Sequence, residues 1–476
     1  MELKRKTIIW EDNTEPPKNY IWVKKDGKAY EWDNSDRKWK ESESIIVPSE
    51  DHGDEDQVIK NFITIDQNIM SPSARIGGDV RGSVIQEIRN NSHIYLGNYV
   101  NNKLQIIQMS DTDKIVAADG RDLSDAEGNL FMKLPEFWWD CTETETGSDI
   151  WKCGFCMSEV EGWNHWDGRY FIGVHEAKAS QQNTTNNANT TNNALNDYTA
   201  TLSDEIGYNG YSSGNIPQDV FRQMARNLGS GFTITTWNVH CMMALLFFAY
   251  YGTTDSQRTC GTGDNNYNRT IGLCDSLGMT DTTLSTSSVS TNFWGLENWW
   301  GGKYEWIDNL YCFHDENNVD HILIYNEDDT TYREVILGQW TPEQIEAYGD
   351  CEDSLESWHN AVLGKNFDLL PTPKGAYIDD GELKVGNDSE GYCDYMYIGC
   401  ITSEEDAGTY TVTDKDGAEH TCAHPGCVGG RSYYYADSFG GVMYCYLSSY
   451  PDGGYGAGGV RLQYHGDYEE LSNIPE

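Results

Sequence analysis

The sequence predicts an α+β fold, with two helices packed on a twisted antiparallel sheet and long surface loops. Three observations point to it. Short runs rich in Tyr, Trp, Val and Ile alternate with turns bearing Gly, Asp and Asn, which is the pattern of hairpins. Two stretches near the middle of the chain carry apolar residues at helical spacing. The composition, with Gly 47, Tyr 30 and Trp 16 against Pro 12, suits strands, turns and aromatic packing rather than a helical bundle or a disordered chain.

Taken in order, residues 1–45 read as a small antiparallel β module. Runs ending at Trp22-Val23, at Tyr30-Glu31-Trp32 and at Lys38-Trp39-Lys40 are separated by the turn Lys25-Asp26-Gly27 and a second polar turn. So few residues bury little surface, so the module is expected to dock on something larger as an anchor. Residues 46–125 read as an acidic linker followed by short elements. "SVIQEIRNN" forms one or two helical turns, and "SHIYLGNYV", "KLQIIQMS" and "DKIVAAD" form strands. The third region, 126–470, holds the main domain. It opens on "NLFMKLPEFWWD", a strand ending in an aromatic cluster, and carries a polar low-complexity insertion at 182–197 that reads as a flexible loop. "IPQDVFRQMARNLG" (216–229) has an Asp in its first turn and Gly229 as its stop. "TTWNVHCMMALLFFAYYG" (235–252) is apolar almost all round, which demands burial, and stops at Gly252.

The balance of 33 basic against 76 acidic side chains gives a formal net charge of −43. Such a field repels polyphosphate and argues against a nucleic-acid partner. The longest apolar run, "CMMALLFFAYY", is too short to span a bilayer, so no membrane insertion is expected. "MELKRKTIIWEDN" turns acidic before an apolar signal core forms. Thirteen cysteines made without export read as mostly free thiols. A protein built for the outside, yet without an export signal, is expected to leave by cell lysis, as virion proteins do.

The segments "LPEFWWD", "YFIGVHEAK", "FRQMARNLGSGFTITTWNVHCMMALLFFAYYGTTDSQ", "FWGLENWWGGKYEWIDNLY" and "GAGGVRLQY" occur in that order over residues 125–465. Together they resemble phage tropism determinants and targets of diversity-generating retroelements, in the formylglycine-generating-enzyme-like branch of the C-type lectin fold. The resemblance implies a C-type lectin-like domain at 126–470 whose "NLFMKLPEF" and "GGVRLQY" strands pair and whose termini lie close together. It also implies a phage virion protein, a tail or head fibre or decoration, that binds a bacterial surface glycan or protein receptor. The N-terminal region would join other virion proteins, and the assembly would be a homotrimer. In this family the floor motif reads Gly-Asn-x-Trp-Glu-Trp, and in some members this neighbourhood helps hold calcium. Here Gly302 replaces the Asn, while Glu305 and Asp308 remain. The reading adopted is no cofactor, with Glu305 bonding backbone groups and the indoles filling the core.

The resemblance places ligand contacts in the segment before the closing strand, "RSYYYADSFGGVMYCYLSSYPDGGYGAGGVRLQY". Its Tyr, Ser, Gly and Asp are also the residues binding loops use for rigid amphipathic contact. The candidate ligand-binding residues are Tyr433, Tyr434, Tyr435, Asp437, Tyr444, Tyr446, Ser448, Tyr450, Asp452 and Tyr455. The alternation in Tyr444-Cys445-Tyr446 turns one face inward, so part of this set is structural. No catalytic residue is assigned. Three alternatives stay open. The first is an oxidase of the formylglycine-generating type using Cys422, Cys427 or Cys445. The second is zinc held by Cys153, Cys156, Cys422 and Cys427 with His424 nearby. The third is a purely structural virion component.

Overall fold

The computed structural model describes residues 58–66, 75–124, 126, 128–145, 150–177, 218–263, 272–283, 290–301, 304–314, 319–326, 331–339, 441–442, 444–449 and 458–472. It also describes the strands lying between 22 and 41 and between 357 and 431. The chain divides into two compact units, Met1–Val58 and Ile59–Glu476. In the first, strands Trp22–Val23, Ala29–Asp33 and Lys38–Glu41 form an antiparallel meander with Trp32 opposite Trp39. The turns between these strands lie outside the described residues.

The second unit is mostly β, which overturns the expected α+β, C-type lectin-like arrangement of two helices on one sheet. Its frame is three large sheets of five, eight and nine strands. Both expected helices exist, as Gln218–Arg226 and Trp237–Tyr251, and "SVIQEIRNN" forms the helix Ser83–Asn90. They are outweighed by strands that the sequence does not announce, such as Tyr332–Gln339, Ser357–Leu363 and Glu419–Ala423. None of the three has a clean period-two apolar alternation, so local pattern understates them even though each pairs with a strand close by in the chain, Val319–Tyr325, Leu369–Thr372 and Thr409–Thr413 respectively.

The described strands between residues 60 and 124 belong to this second unit. Lys60–Asp66 pairs with Ile150–Cys156 in the five-stranded sheet, and His93–Val100 pairs with Asn129–Lys133 in the eight-stranded sheet. The strand Asn129–Lys133 does not pair directly with the closing strand Leu462–His465. Tyr170–Gly173 lies between them and bonds to both. That order gives a short apolar strand, "YFIG", two neighbours and full burial of Phe171, Ile172 and Gly173.

The helix Trp237–Tyr251 is apolar on every face and buried along nearly its whole length. A surface helix needs a polar stripe, so this one has to lie inside. Gly252 ends it in the left-handed region at φ 70°, donating its N–H to the Phe248 carbonyl at 2.9 Å. The helix Ser83–Asn90 has no cap on its own chain side. Instead Asn61 Oδ1, from the neighbouring strand, accepts from the N–H groups of Val84 at 2.5 Å and Ile85 at 3.3 Å. The low-complexity insertion at 182–197, with its Asn-Thr-Thr triplets, lies outside the described residues.

Candidate functional site

The aromatic knot "GLENWWGGKYEWIDN" packs inward. Trp299, Trp300, Tyr304 and Trp306 are all buried, and Trp300 meets Phe247 of the long helix edge to face at 5.7 Å. The indole N–H of Trp300 donates to the Gly261 carbonyl at 2.8 Å. What the knot encloses is a fully buried guanidinium. Arg461 donates to both carboxylate oxygens of Glu305, at 3.0 and 3.3 Å, and to the backbone carbonyls of Gly173, Val174, Glu297 and Asn298. Its fork thus ties the closing strand to three distant segments, with Trp299 lying 5.6 Å over the charge. Glu305 thus serves as the carboxylate partner of Arg461.

Asp308, three residues on, is equally committed. It pairs with Arg222 of the helix Gln218–Arg226 and accepts from the Thr233 hydroxyl. Burial pushes its carboxyl up, but Arg222, Arg226 and the Thr233 bond outweigh it and hold the group below the ordinary carboxylate range. With Glu305 and Asp308 both engaged by guanidinium groups, neither offers calcium an open carboxylate.

Above Asp308 opens a cleft of about 360 Å³, lined by Arg226, the loop 229–231, Phe232, Thr233, Thr236, Gln463 and His465. Its position follows from local chemistry. Gly229 and Gly231 take φ values of 152° and 90°, turning the chain sharply from the helix Gln218–Arg226 into the strand Phe232–Ile234. That strand pairs with Leu462–His465, so Thr233 faces Gln463. The Gln463 amide oxygen accepts from the Thr236 N–H at 2.9 Å and hydroxyl at 3.1 Å, which leaves the amide nitrogen as the donor end. His465 is clamped by Asp167 at 3.0 Å and stacks on Tyr170 at 4.0 Å. The cleft therefore has a rigid floor, one aromatic wall, several hydroxyl and amide groups, and Arg226 at its rim. This is a donor-rich, hydroxyl-matching lining rather than an apolar drug-like one.

Of the ten candidate residues, the structure describes three. Tyr444 is fully buried, its hydroxyl 3.4 Å from that of Tyr304, so its ring belongs to the interior. Tyr446 and Ser448 lie in the strand Cys445–Ser449, paired with Cys427–Arg431. Tyr433, Tyr434, Tyr435, Asp437, Tyr450, Asp452 and Tyr455 lie outside the described residues. The sequence did not single out the cleft residues, because Arg226, Thr233, Thr236 and Gln463 come together only through strand pairing. The one signal was Gly229, read there only as the stop of the helix.

The cysteine readings change. Cys141 and Cys153 form a disulfide between paired strands, with Cα atoms 4.1 Å apart. Cys153 is therefore unavailable to zinc. The side chains of Cys422 and Cys427, and all of His424, lie outside the described residues, while Cys445 is fully buried.

A second polar cluster joins His175, Asp275 and Glu297, with ligand-type atoms within 4.8 Å of one another. His175 Nε2 lies 2.9 Å from Asp275 Oδ1, and Glu297 accepts from the N–H groups of Gly272 and Cys274. The buried ammonium of Lys114 stands beside them, 3.9 Å from Asp275 and bonded to Asn292 at 2.8 Å. Lys114 thus already supplies the positive charge that a metal would bring, and the cluster holds the 272–278 turn in place.

Neither a protein-family model nor a curated protein sequence matches the chain.

Proposed function

We propose that the chain is a non-catalytic binding protein of a phage virion, a fibre or decoration component that attaches to a bacterial surface receptor. The cleft floored by Thr233, Thr236 and Gln463 carries this reading. It offers a preformed, hydrogen-bonding recess of about 360 Å³ with the His465 imidazole in its lining and one cation, Arg226. Such a lining suits a sugar unit of a surface glycan. Hydroxyls meet the amide and threonine groups. The acidic surface, −43 in all, disfavours non-specific sticking to anionic envelopes, which leaves specific contacts to decide attachment. Many weak single-site contacts become tight when copies are tethered on one particle, and a homotrimer anchored through the N-terminal unit would provide that.

Two experiments test the proposal. Particles purified from a lysate and labelled with antibody to this chain are expected to show it on the virion by electron microscopy. A chain absent from particles contradicts the assignment. Exchanging residues 431–455 for those of a relative separates a receptor binder from a purely structural component. Altered cell binding with intact assembly supports the former, whereas unchanged binding with failed assembly supports the latter.

A further inference from the structure

Lys114 occupies a place in the short strand Asp113–Ala117 that an apolar residue would ordinarily take, with none of its side chain exposed. Its three N–H bonds find one hydrogen-bond acceptor among the described residues, the Asn292 side-chain oxygen at 2.8 Å. The Asp275 carboxylate stands at 3.9 Å, beyond hydrogen-bond reach. Burial lowers the pKa of the ammonium below the ordinary lysine range, against the pull of Glu297 and Asp275. A lysine desolvated in this way gives up a proton readily and becomes a nucleophilic amine.

Asn292 is held just as firmly. It begins the hairpin of strands Asn292–Phe293 and Leu296–Glu297, whose turn residues Trp294 and Gly295 take φ values of 51° and 84°. The residue is fully buried, and its Nδ2 donates to the carbonyls of Gly278 at 3.0 Å and Thr280 at 2.7 Å. Those two bonds fix which end of the amide faces the lysine. A C=O bond is about 1.23 Å long, so Lys114 Nζ lies within about 4 Å of Asn292 Cγ. Glu297 stands directly across the hairpin from Asn292. Burial pushes the Asp275 carboxyl up, but His175 and Lys114 outweigh it and hold the group below the ordinary carboxylate range, ionised and able to take a proton. An amine, an amide carbonyl and two carboxylates are thus fixed together in the interior.

We propose that Lys114 and Asn292 become joined by an intramolecular isopeptide bond, which the folded chain forms by itself between side chains 178 positions apart. The Lys114 ammonium passes one proton to Asp275, and the freed Nζ lone pair attacks Asn292 Cγ. The C=O electron pair moves onto Oδ1 and returns as the Cγ–Nδ2 bond breaks. Nδ2 leaves as ammonia, carrying a second proton from Nζ, and takes the proton held by Asp275 to depart as ammonium. No oxidant or co-reactant is consumed. Fixed neighbours make the step effectively unimolecular, which is what an unactivated amide requires. A salt link explains the site less well, because the carboxylate is out of hydrogen-bond reach and two of the three ammonium donors stay unused. The bond ties the strand Asp113–Ala117 to the hairpin at 292–297, as a disulfide would without needing oxidation. It depends neither on the cleft nor on the attachment role proposed above.

The test is mass spectrometry of the full chain, reduced to open the Cys141–Cys153 disulfide and then digested. The digest is expected to contain a branched peptide joining the Lys114 and Asn292 fragments, lighter than the two together by about 17 Da, one ammonia. Closure of Asn292 onto its own backbone also loses ammonia but joins no fragments, so the branch decides. The branched peptide is expected to vanish in Lys114→Met and in Asn292→Ala, and to form in Asn292→Asp with loss of water instead. In Asp275→Asn it is expected to accumulate about a hundredfold more slowly after refolding. The unaltered chain answers the question by itself, so a variant that fails to fold does not leave it open. Separate Lys114 and Asn292 fragments at full mass from the folded chain overturn the proposal. A branched peptide that persists in Lys114→Met overturns it as well, and an unchanged rate in Asp275→Asn overturns the proton route.

Discussion

At the scale of single residues, Arg461 concentrates more of the structure than any other described side chain. One guanidinium, fully buried, satisfies a carboxylate and four backbone carbonyls from three separate segments. Removing it strips the buried Glu305 of its guanidinium partner. Arg461→Met is therefore expected to cost about 3–5 kcal/mol in chemical denaturation of the unit. A loss below about 1 kcal/mol would show that the fork is dispensable. Asp308 gives a pH prediction. Its folded carboxyl lies below the unfolded value of about 3.9, so its contribution is complete above that value and is lost as pH falls through the folded one. The melting temperature is expected to be level with respect to this group between about pH 5 and 7 and to fall below about pH 4. Asp308→Asn should shallow that acid limb while lowering stability at neutral pH, because the buried Arg222 keeps Asp219 and the Tyr311 hydroxyl but loses its Asp308 carboxylate. An acid limb as steep as in the unaltered protein would contradict this. The sequence showed Glu305 and Asp308 as notable, and it showed the tryptophans beside them. It could not show that the partners were Arg461 and Arg222, which lie 156 and 86 positions away along the chain.

Among the elements, the helices and the early strands were legible, because each carries its own signal. "CMMALLFFAYY" is apolar on all sides and ends at a glycine, and the structure buries it and stops it there. Gly252 holds φ 70°, and a Cβ at that position would come within 2.8 Å of Val80. Gly252→Ala is accordingly expected to lower stability by about 1 kcal/mol, read as a shift in denaturant midpoint at unchanged slope. An unshifted midpoint would mean that the cap is not used. "SHIYLGNYV" and "KLQIIQMS" alternate and pair as antiparallel neighbours. Legibility ends where pairing becomes non-local. "YFIG" gave no hint that it would separate the "NLFMK" and "LQYH" strands, because nothing in four apolar residues specifies which neighbours they choose. The disulfide is a similar case. Cys141 and Cys153 become neighbours only because Glu136–Glu143 and Ile150–Cys156 lie in register.

For the whole molecule, the same non-locality explains why the fold class was misjudged. The helical stretches are conspicuous in the sequence, but they serve as filling among three large sheets, and the sheets set the architecture. The cleft is a product of that architecture. Its walls come from residues 226–236 at one end and from Gln463 and His465 at the other, joined by a single strand pairing. A composition rich in Tyr, Ser and Gly suggested a binding protein, but it drew attention to the segment 431–455 rather than to this recess. The account's central claim, that the molecule works by holding a ligand in the cleft, is tested most directly at Ser230. This residue is exposed on the cleft's rim and takes no part in the core. Binding of the purified chain to an array of bacterial surface glycans should be measured for the unaltered protein and for Ser230→Trp at equal melting temperature. The account predicts at least one bound glycan whose affinity falls by about tenfold or more in the variant. Glycan binding that is the same in both proteins would contradict it.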